Sequence, residues 1–407
     1  MLYSLELFLL ILIVFDLLKN KKIYTPGVIF NGIFFITMFL YGFYMSYNQL
    51  ILDYRTLWLL LLCVAMFNIP IFKSYYVPKT NFIQRKSVSV EVSSKREMVV
   101  YYIALAMFVI EILYSKGCPL VWKIIDDPKT YVDFGIPSFN GLFYAIVILM
   151  GSYSIFKKGC IYKYFYLLMG VLIISRQLII SIFIQGAILY CITHKLDKKF
   201  ITIMAIGVVV GILLFSFMGN MRTGEELFLY VAQFKPKYDW VPTSFKWIYA
   251  YLCFSISNLN SLVRMTYGAV NYGATIFNEL MPSVFNLRLP INQGFAYIVN
   301  PNFNVSTFIP DIYMDFGFLG VAIFCLALGK ITSYVFRRVR VKDKAFQMFY
   351  IVIAHNILFL TFRNMFFYLP IMFELVLIPL IFMVDYGKLK NKTKNIINKI
   401  LKRKGEN

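Results

Sequence analysis

The sequence predicts an all-α, polytopic integral membrane protein with about eleven transmembrane helices and one long external loop. Of its 407 residues, 60% are hydrophobic and the mean hydropathy is +0.69, whereas soluble domains are roughly 45–50% apolar. Many runs approach the ~20 apolar residues that cross a bilayer, without the polar face of a soluble helix. The formal net charge of +21 comes from basic residues that flank those runs. That charge belongs at a membrane surface and not on nucleic acid.

The first element is the span 1–18, in "MLYSLELFLLILIVFDLLKNKK". Lys19, Lys21 and Lys22 follow its apolar run, the reverse of a cleavable signal peptide, which puts the N-terminus outside. Further spans fall near 27–47, 56–72, 98–114, 141–156, 161–175, 177–193, 200–219, 311–330, 345–362 and 365–386. In this threading 29 of the 41 Lys and Arg face the cytoplasm and 12 lie outside, a bias that sets the orientation. The whole chain, 1–407, reads as one membrane domain, with a large loop at 219–310 and a basic cytoplasmic tail at 387–407.

Arg176 stands in the middle of "LLMGVLIISRQLIISIFIQG", where a central arginine would cost about 2.5–3.5 kcal/mol in one membrane helix. Lys157 and Lys158 before it and Lys195, Lys198 and Lys199 after it all belong inside. The chain between them therefore crosses an even number of times. Two short spans in a tight helical hairpin satisfy this, with Arg176 at or just below the external apex. A re-entrant hairpin that never reaches the far surface is the other solution. The same parity puts Arg363, in "TFRNMFF", in an external turn. External segments thus comprise 115–140, 219–310 and this turn. Within the long loop, 245–263 reads as an interfacial or re-entrant helix, with Trp247, Tyr249 and Tyr251 at headgroup level.

Metal and nucleotide signatures are absent: no GxxxxGK[ST], no strand-linked GxGxxG, no HExxH and no DxD. The six cysteines form no CxxC pair and mostly read as packing residues; Cys118 and Cys253 fall in external segments and are the one candidate pair. Of two histidines, His194 sits among cytoplasmic lysines, and His355 is either a packing residue or a proton carrier. No cofactor is expected.

The informative residues are arginines. Arg55, Arg176, Arg222, Arg264, Arg288 and Arg363 make up 6 of the 12 external basic residues, against 6 of 29 inside. Arginine grips phosphate oxygens bidentately, so these residues form a candidate pyrophosphate cradle. The alternative is pairing with Asp53, Glu225 or Glu279. Glu225, Glu226, Asp311 and Asp315 are candidate general bases; Asp315, which opens a span in "IPDIYMDFGFLG", serves equally well in a salt bridge. The stretch "NQGFAYIVNPNFNVSTF" offers Asn292, Gln293, Tyr297, Asn300, Asn302 and Asn304 as sugar contacts or as a polar loop.

Several stretches in order resemble the bacterial oligosaccharide repeat-unit polymerases of the O-antigen (Wzy) type. They are "KGCPLVWK…YVDFGIPSFNGLF", "IISRQLIIS", "GNMRTGEE", "NVSTFIPDIYMDFGFLGVAIFCLALG" and "FLTFRNMFF", together covering about 115–370. The resemblance implies a GT-C-like, metal-independent glycosyltransferase of the bacterial inner membrane, with a periplasmic N-terminus and a cytoplasmic C-terminus. It would transfer a growing glycan from undecaprenyl pyrophosphate to a new lipid-linked repeat unit on the periplasmic face. Arg176, Arg222, Arg288 and Arg363, and also Arg264, would hold pyrophosphates. Asp315 or Glu225 would take the acceptor proton, and Asn300, Asn304 and Tyr297 would contact sugar. Membrane lipids, a chain-length regulator and a repeat-unit flippase are the implied partners. An O-antigen ligase acting on lipid A core and a flippase or transporter are the competing readings.

Overall fold

The computed structural model describes residues 2–76, 92–130, 132–157, 159–266, 268–282, 285–292, 297–339 and 343–384. Gln293, the tail 387–407 and the side chain of Arg222 lie outside the described residues. Regular structure among the described residues is helical, apart from one isolated antiparallel bridge between Ser46 and Phe234.

In chain order the helices are α1 (Leu2–Asn20), α2 (Pro26–Gly42), α3 (Tyr54–Tyr75), α4 (Ser94–Ser115), α5 (Pro119–Ile124), α6 (Phe139–Ser154), α7 (Tyr162–Leu172) and α8 (Arg176–Thr193). There follow α9 (Lys198–Thr223), α10 (Glu225–Ala232), α11 (Thr243–Met265), α12 (Ala274–Leu280), α13 (Ile309–Val339), α14 (Lys344–Phe359) and α15 (Leu369–Phe382). Five of them are long and apolar enough to cross a membrane: α3, α4, α8, Lys198–Met221 of α9, and α13. Four more, α2, α6, α14 and α15, are apolar but shorter. The 161–175 stretch is shorter as a helix than its apolar run: α7 has 11 residues. At 1.5 Å per residue it spans about 16 Å, roughly half of a ~30 Å hydrocarbon core.

The core is a helix bundle in which α13 lies along α3, α1 along α2, and α6 against both α8 and α15. At Gly329 the α13 backbone approaches α3 so closely that a Cβ would fall 2.3 Å from the Phe67 carbonyl oxygen. Many polar groups inside the bundle find partners within the chain, as an apolar interior favours. The Asn31 and Asn68 side chains donate to each other's carbonyl oxygens at 3.0 and 2.9 Å, joining α2 to α3.

The segment 245–263, read from sequence as an interfacial or re-entrant helix, lies in α11, whose sides are packed inside the protein. α11 packs against α9, α2 and α3, and Trp247 and Tyr249 are buried. Its polar residues, which lower its apolarity below that of a span, bond to other parts of the chain instead of headgroups. The Tyr249 hydroxyl donates to Gln49 Oε1 at 2.6 Å. Ser255 donates to the Thr361 carbonyl at 2.5 Å. Asn260 accepts from Asp53 N at 2.8 Å and donates to Ile51 O at 2.9 Å. Asn258 donates to Val305 O at 2.7 Å and accepts from Val299 N at 2.9 Å. One helix thus gathers the 46–53 loop, the 299–305 loop and the 360–364 turn.

Helix α13 departs from helical geometry at Gly317 (φ 63°, ψ −157°), a conformation natural to glycine. The break frees the Met314 carbonyl, which accepts from Val270 N at 2.7 Å and Asn271 N at 3.0 Å. The long loop after α11 is fastened to the bundle there.

Two glycine substitutions test this packing. Gly329→Ala should lower stability by about 1–3 kcal/mol, the usual cost of overpacking. Gly211→Ala, where a Cβ meets nothing within 4 Å, should leave stability unchanged or slightly higher. The loss of monodisperse protein on heating in detergent measures both.

Candidate functional site

Three residues make the turn between α7 and α8. Ile174 N donates to Val171 O and Ser175 N to Gly170 O, both at 3.0 Å, the paired bonds that close a helix around a left-handed residue. That residue is Ile174, at φ 53°, where glycine is usual and a β-branched side chain is strained. Ser175 then opens α8, its hydroxyl accepting from Leu178 N at 3.4 Å. Arg176 is therefore the first residue of a helix, not the middle of one.

Its side chain crosses to α9. The guanidinium lies 4.7 Å above the centre of the Phe215 ring and donates to the Phe215 carbonyl at 3.2 Å. The rest of the group borders a cleft of about 240 Å³. Gly219 and Thr223 of α9, Phe228 and Val231 of α10, Trp247 and Tyr251 of α11, and the loop residues Asn302 and Asn304 also line it.

Aromatic stacking sets the shape of this cleft. Trp247 stacks on Phe228 with centroids 3.7 Å apart and planes 10° from parallel, and both join Phe254 and Phe303 in an apolar cluster separate from the main core. Trp247 Nε1 donates to Asn220 Oδ1 at 2.7 Å. Gly219 leaves room for the indole, since a Cβ there would sit 2.9 Å from it. Beside this wall, Glu225 is exposed and accepts from Thr243 Oγ1 at 2.6 Å and Asn220 Nδ2 at 3.3 Å. The cleft is smaller than the roughly 300–1,000 Å³ of common ligand sites, so it has room for one small group and not for a whole oligosaccharide. Its guanidinium, amides and aromatic faces suit an anion next to a polyhydroxyl ring.

The other expected site residues divide. Asn304 lines the cleft, and Asn300 supports it: Asn300 donates to Val231 O at 3.0 Å and accepts from Asn302 N at 3.0 Å. Arg222 belongs to the last turn of α9, next to Thr223 of the cleft. Arg264 is at the far end of α11 from Trp247, donating to Ile51 O at 2.6 Å. There it neighbours Asp53, whose carboxyl is held below its usual range by the Arg55 backbone N–H and then by the Arg55 and Arg264 charges. Arg288 donates to Met281 O and Leu287 O, both at 3.0 Å, within its own loop. Arg363 is exposed over the Tyr368 ring at 4.9 Å and close to Asp311. Among the described side chains of these arginines, only Arg176 lines the cleft.

Two expected roles are corrected. Asp315 is fully buried, and its carboxylate accepts from Thr275 N at 3.0 Å and Ile276 N at 2.8 Å. It caps the start of α12, and both oxygens are engaged, which is the geometry of an anchor and not of a general base. Tyr297 is enclosed in protein, where burial pushes its hydroxyl up; it is a packing residue, out of reach of sugar. The six cysteines are free, Cys118 and Cys253 among them. Sequence reasoning missed Gly219, Asn220, Phe228 and Thr243. The "MGNMRTGEE" run carried a signal in its two glycines.

No family model, no curated protein and no solved structure matches the chain.

Asp315→Ala should loosen the loop without unfolding the bundle, costing about 0.5–2 kcal/mol as for a lost helix cap. Limited proteolysis should cut within 266–308 sooner than in the parent, while the thermal midpoint moves little. Equal protease resistance would remove the anchor role.

Proposed function

We propose that this protein is a polymerase of undecaprenyl-pyrophosphate-linked oligosaccharide repeat units, acting on the periplasmic face of a bacterial inner membrane. The observation that carries this reading is the cleft that joins Arg176 to Asn302 and Asn304 beside the Trp247 and Tyr251 rings. In this reading the Arg176 guanidinium holds the pyrophosphate of a lipid-linked glycan and offsets charge as it leaves. The loop amides and the aromatic wall hold the adjoining sugar. Glu225, one hydrogen bond from Asn220 at the rim, takes the acceptor proton. The apolar flank of α9, mostly exposed, lies beside the lipid tail while the head group enters the cleft. The proposal includes eleven spans, a periplasmic N-terminus, a cytoplasmic C-terminus and a GT-C-like arrangement.

One observation favours the transporter alternative. His355 and Glu374 are both fully buried within the bundle, and ionisable groups at such depth mark ion paths in transporters.

A strain lacking its own copy decides between these readings. Arg176→Ala should reduce polymer by roughly 10²–10³-fold, the effect of removing one group that stabilises a leaving charge. It should leave lipid A core capped with a single repeat unit. Arg288→Ala and Arg264→Ala, outside the cleft, should keep the full ladder. Uncapped core with polymer stranded on its carrier would indicate the ligase, and repeat units trapped on the cytoplasmic leaflet would indicate the flippase. A normal ladder from Arg176→Ala at normal protein level would overturn the site.

A further inference from the structure

Below Arg176, helix α8 carries a polar line that the cleft does not use. Gln177, Ser181 and Gln185 recur every four residues and so share one face. Each meets a partner across the bundle. Gln177 Nε2 lies 3.9 Å from Met365 Sδ. Ser181 Oγ lies 3.0 Å from His355 Nε2, and His355 Nδ1 lies 3.1 Å from Asn356 Oδ1. Gln185 Nε2 donates to Glu374 Oε2 at 2.9 Å, and Ser152 Oγ donates to Gln185 Oε1 at 3.2 Å. From Arg176 to Gln185 the line descends about 14 Å. Ser152, Ser181, Gln185, His355, Asn356 and Glu374 are all buried.

Two atoms in this line are unsatisfied: Glu374 Oε1 and Asn356 Nδ2 have no hydrogen-bond partner. A buried carboxylate without a cation is strongly disfavoured, and the neutral acid is the form such a site tolerates. No cation is at hand among the described residues. Helix α6, packed against α15, offers Tyr144 and Tyr153 but no charge. Helix α14 offers His355 and Tyr350, with Lys344 at its far end. Helix α8 offers Arg176 at its first residue, and Tyr190 and Cys191 near its last. Arg96 of α4 donates to Ile381 O at 2.7 Å, seven residues and about 10 Å along α15 from Glu374. The 3-10 turn Met365–Phe367 carries no ionisable side chain.

We propose that Glu374, with His355 and the α8 line, is a proton-binding site inside the bundle that exchanges its proton with the external cleft. Gln185 already donates to Oε2, so the proton resides on Oε1, the atom without a partner. Ser181 and His355 each donate and accept; Ser181 stands one helical turn from Gln185 and one from Gln177, which adjoins Arg176 of the cleft, and this spacing is the route by which the proton would pass. A bond serving only to glue α8 to α15 would need neither an open acceptor nor a continuation toward Arg176. The site does not depend on the polymerase reading, and its test reads no glycan.

Infrared difference spectra of the purified protein, parent against Glu374→Gln, isolate this carboxyl. The parent should show a carboxylic-acid C=O stretch at neutral pH that the variant lacks, and the band should shift on transfer to D2O in the folded protein. Ser181→Ala should slow that shift about tenfold, the upper range of one lost hydrogen bond. If Glu374→Gln fails to fold, Gln185→Leu reads the same group by raising the frequency of its band. Absence of the acid band would overturn the proposal. So would a band that shifts only on unfolding, an unchanged rate in Ser181→Ala, or an unmoved band in Gln185→Leu.

Discussion

A buried carboxylate and a broken helix, two residues apart, tie the long loop after α11 to the bundle. Asp315 holds the first N–H groups of α12. The break at Gly317 turns the Met314 carbonyl toward Val270 and Asn271. Neither device works alone. Without the break the carbonyl would be taken up within α13, and without the carboxylate α12 would begin with bare N–H groups in a protein interior. At this end the long segment after α11 is therefore held through its own backbone N–H groups. Asn258 repeats the arrangement farther along, gripping the 299–305 loop that brings Asn302 and Asn304 to the cleft.

The arginines follow the same logic of satisfied partners. Arg264 and Arg288 end on backbone carbonyls of nearby loops, where they act as staples. Arg176 also gives one bond to a carbonyl, but it belongs to a tight turn that sets its remaining donors beside an aromatic wall. What separates a staple from a cleft-facing group is the geometry of the turn that carries it, and not the charge.

Much of the architecture was legible from charge and apolarity, because both act over whole segments. A helix occurs in each of the eleven stretches that hydropathy selects. The turn at Arg176 followed from parity among lysines well away from it. Local roles were harder to read. Helix α11 read as interfacial or re-entrant because its Asn, Ser and Tyr residues dilute its apolarity, and their partners are some 40 to 200 residues away in sequence. Asp315 illustrates the second difficulty: an acid at the start of a helix reads alike as base, ion pair or cap until its neighbours are placed. Trp247 and Tyr251 carry the surface signature of a membrane belt, yet Trp247 is stacked within protein. Composition ranks residues by what they can do, and long-range contacts choose among the options.

One wall of the cleft is held differently from the others. Only 11% of the apolar window of α9 is buried, against 33–50% for the other long helices, and Gly207 and Gly211 have open space where a side chain would begin. Its protein contacts concentrate toward its ends, at Phe200 against Tyr190 and at Gly219 against Trp247. A rod pinned at its ends bends most easily in its middle, because bending there breaks few dispersion contacts. The width of the cleft is thus mechanically soft along one side, and the lateral pressure of whatever surrounds α9 becomes a variable in how far apart Arg176 and the aromatic wall stand.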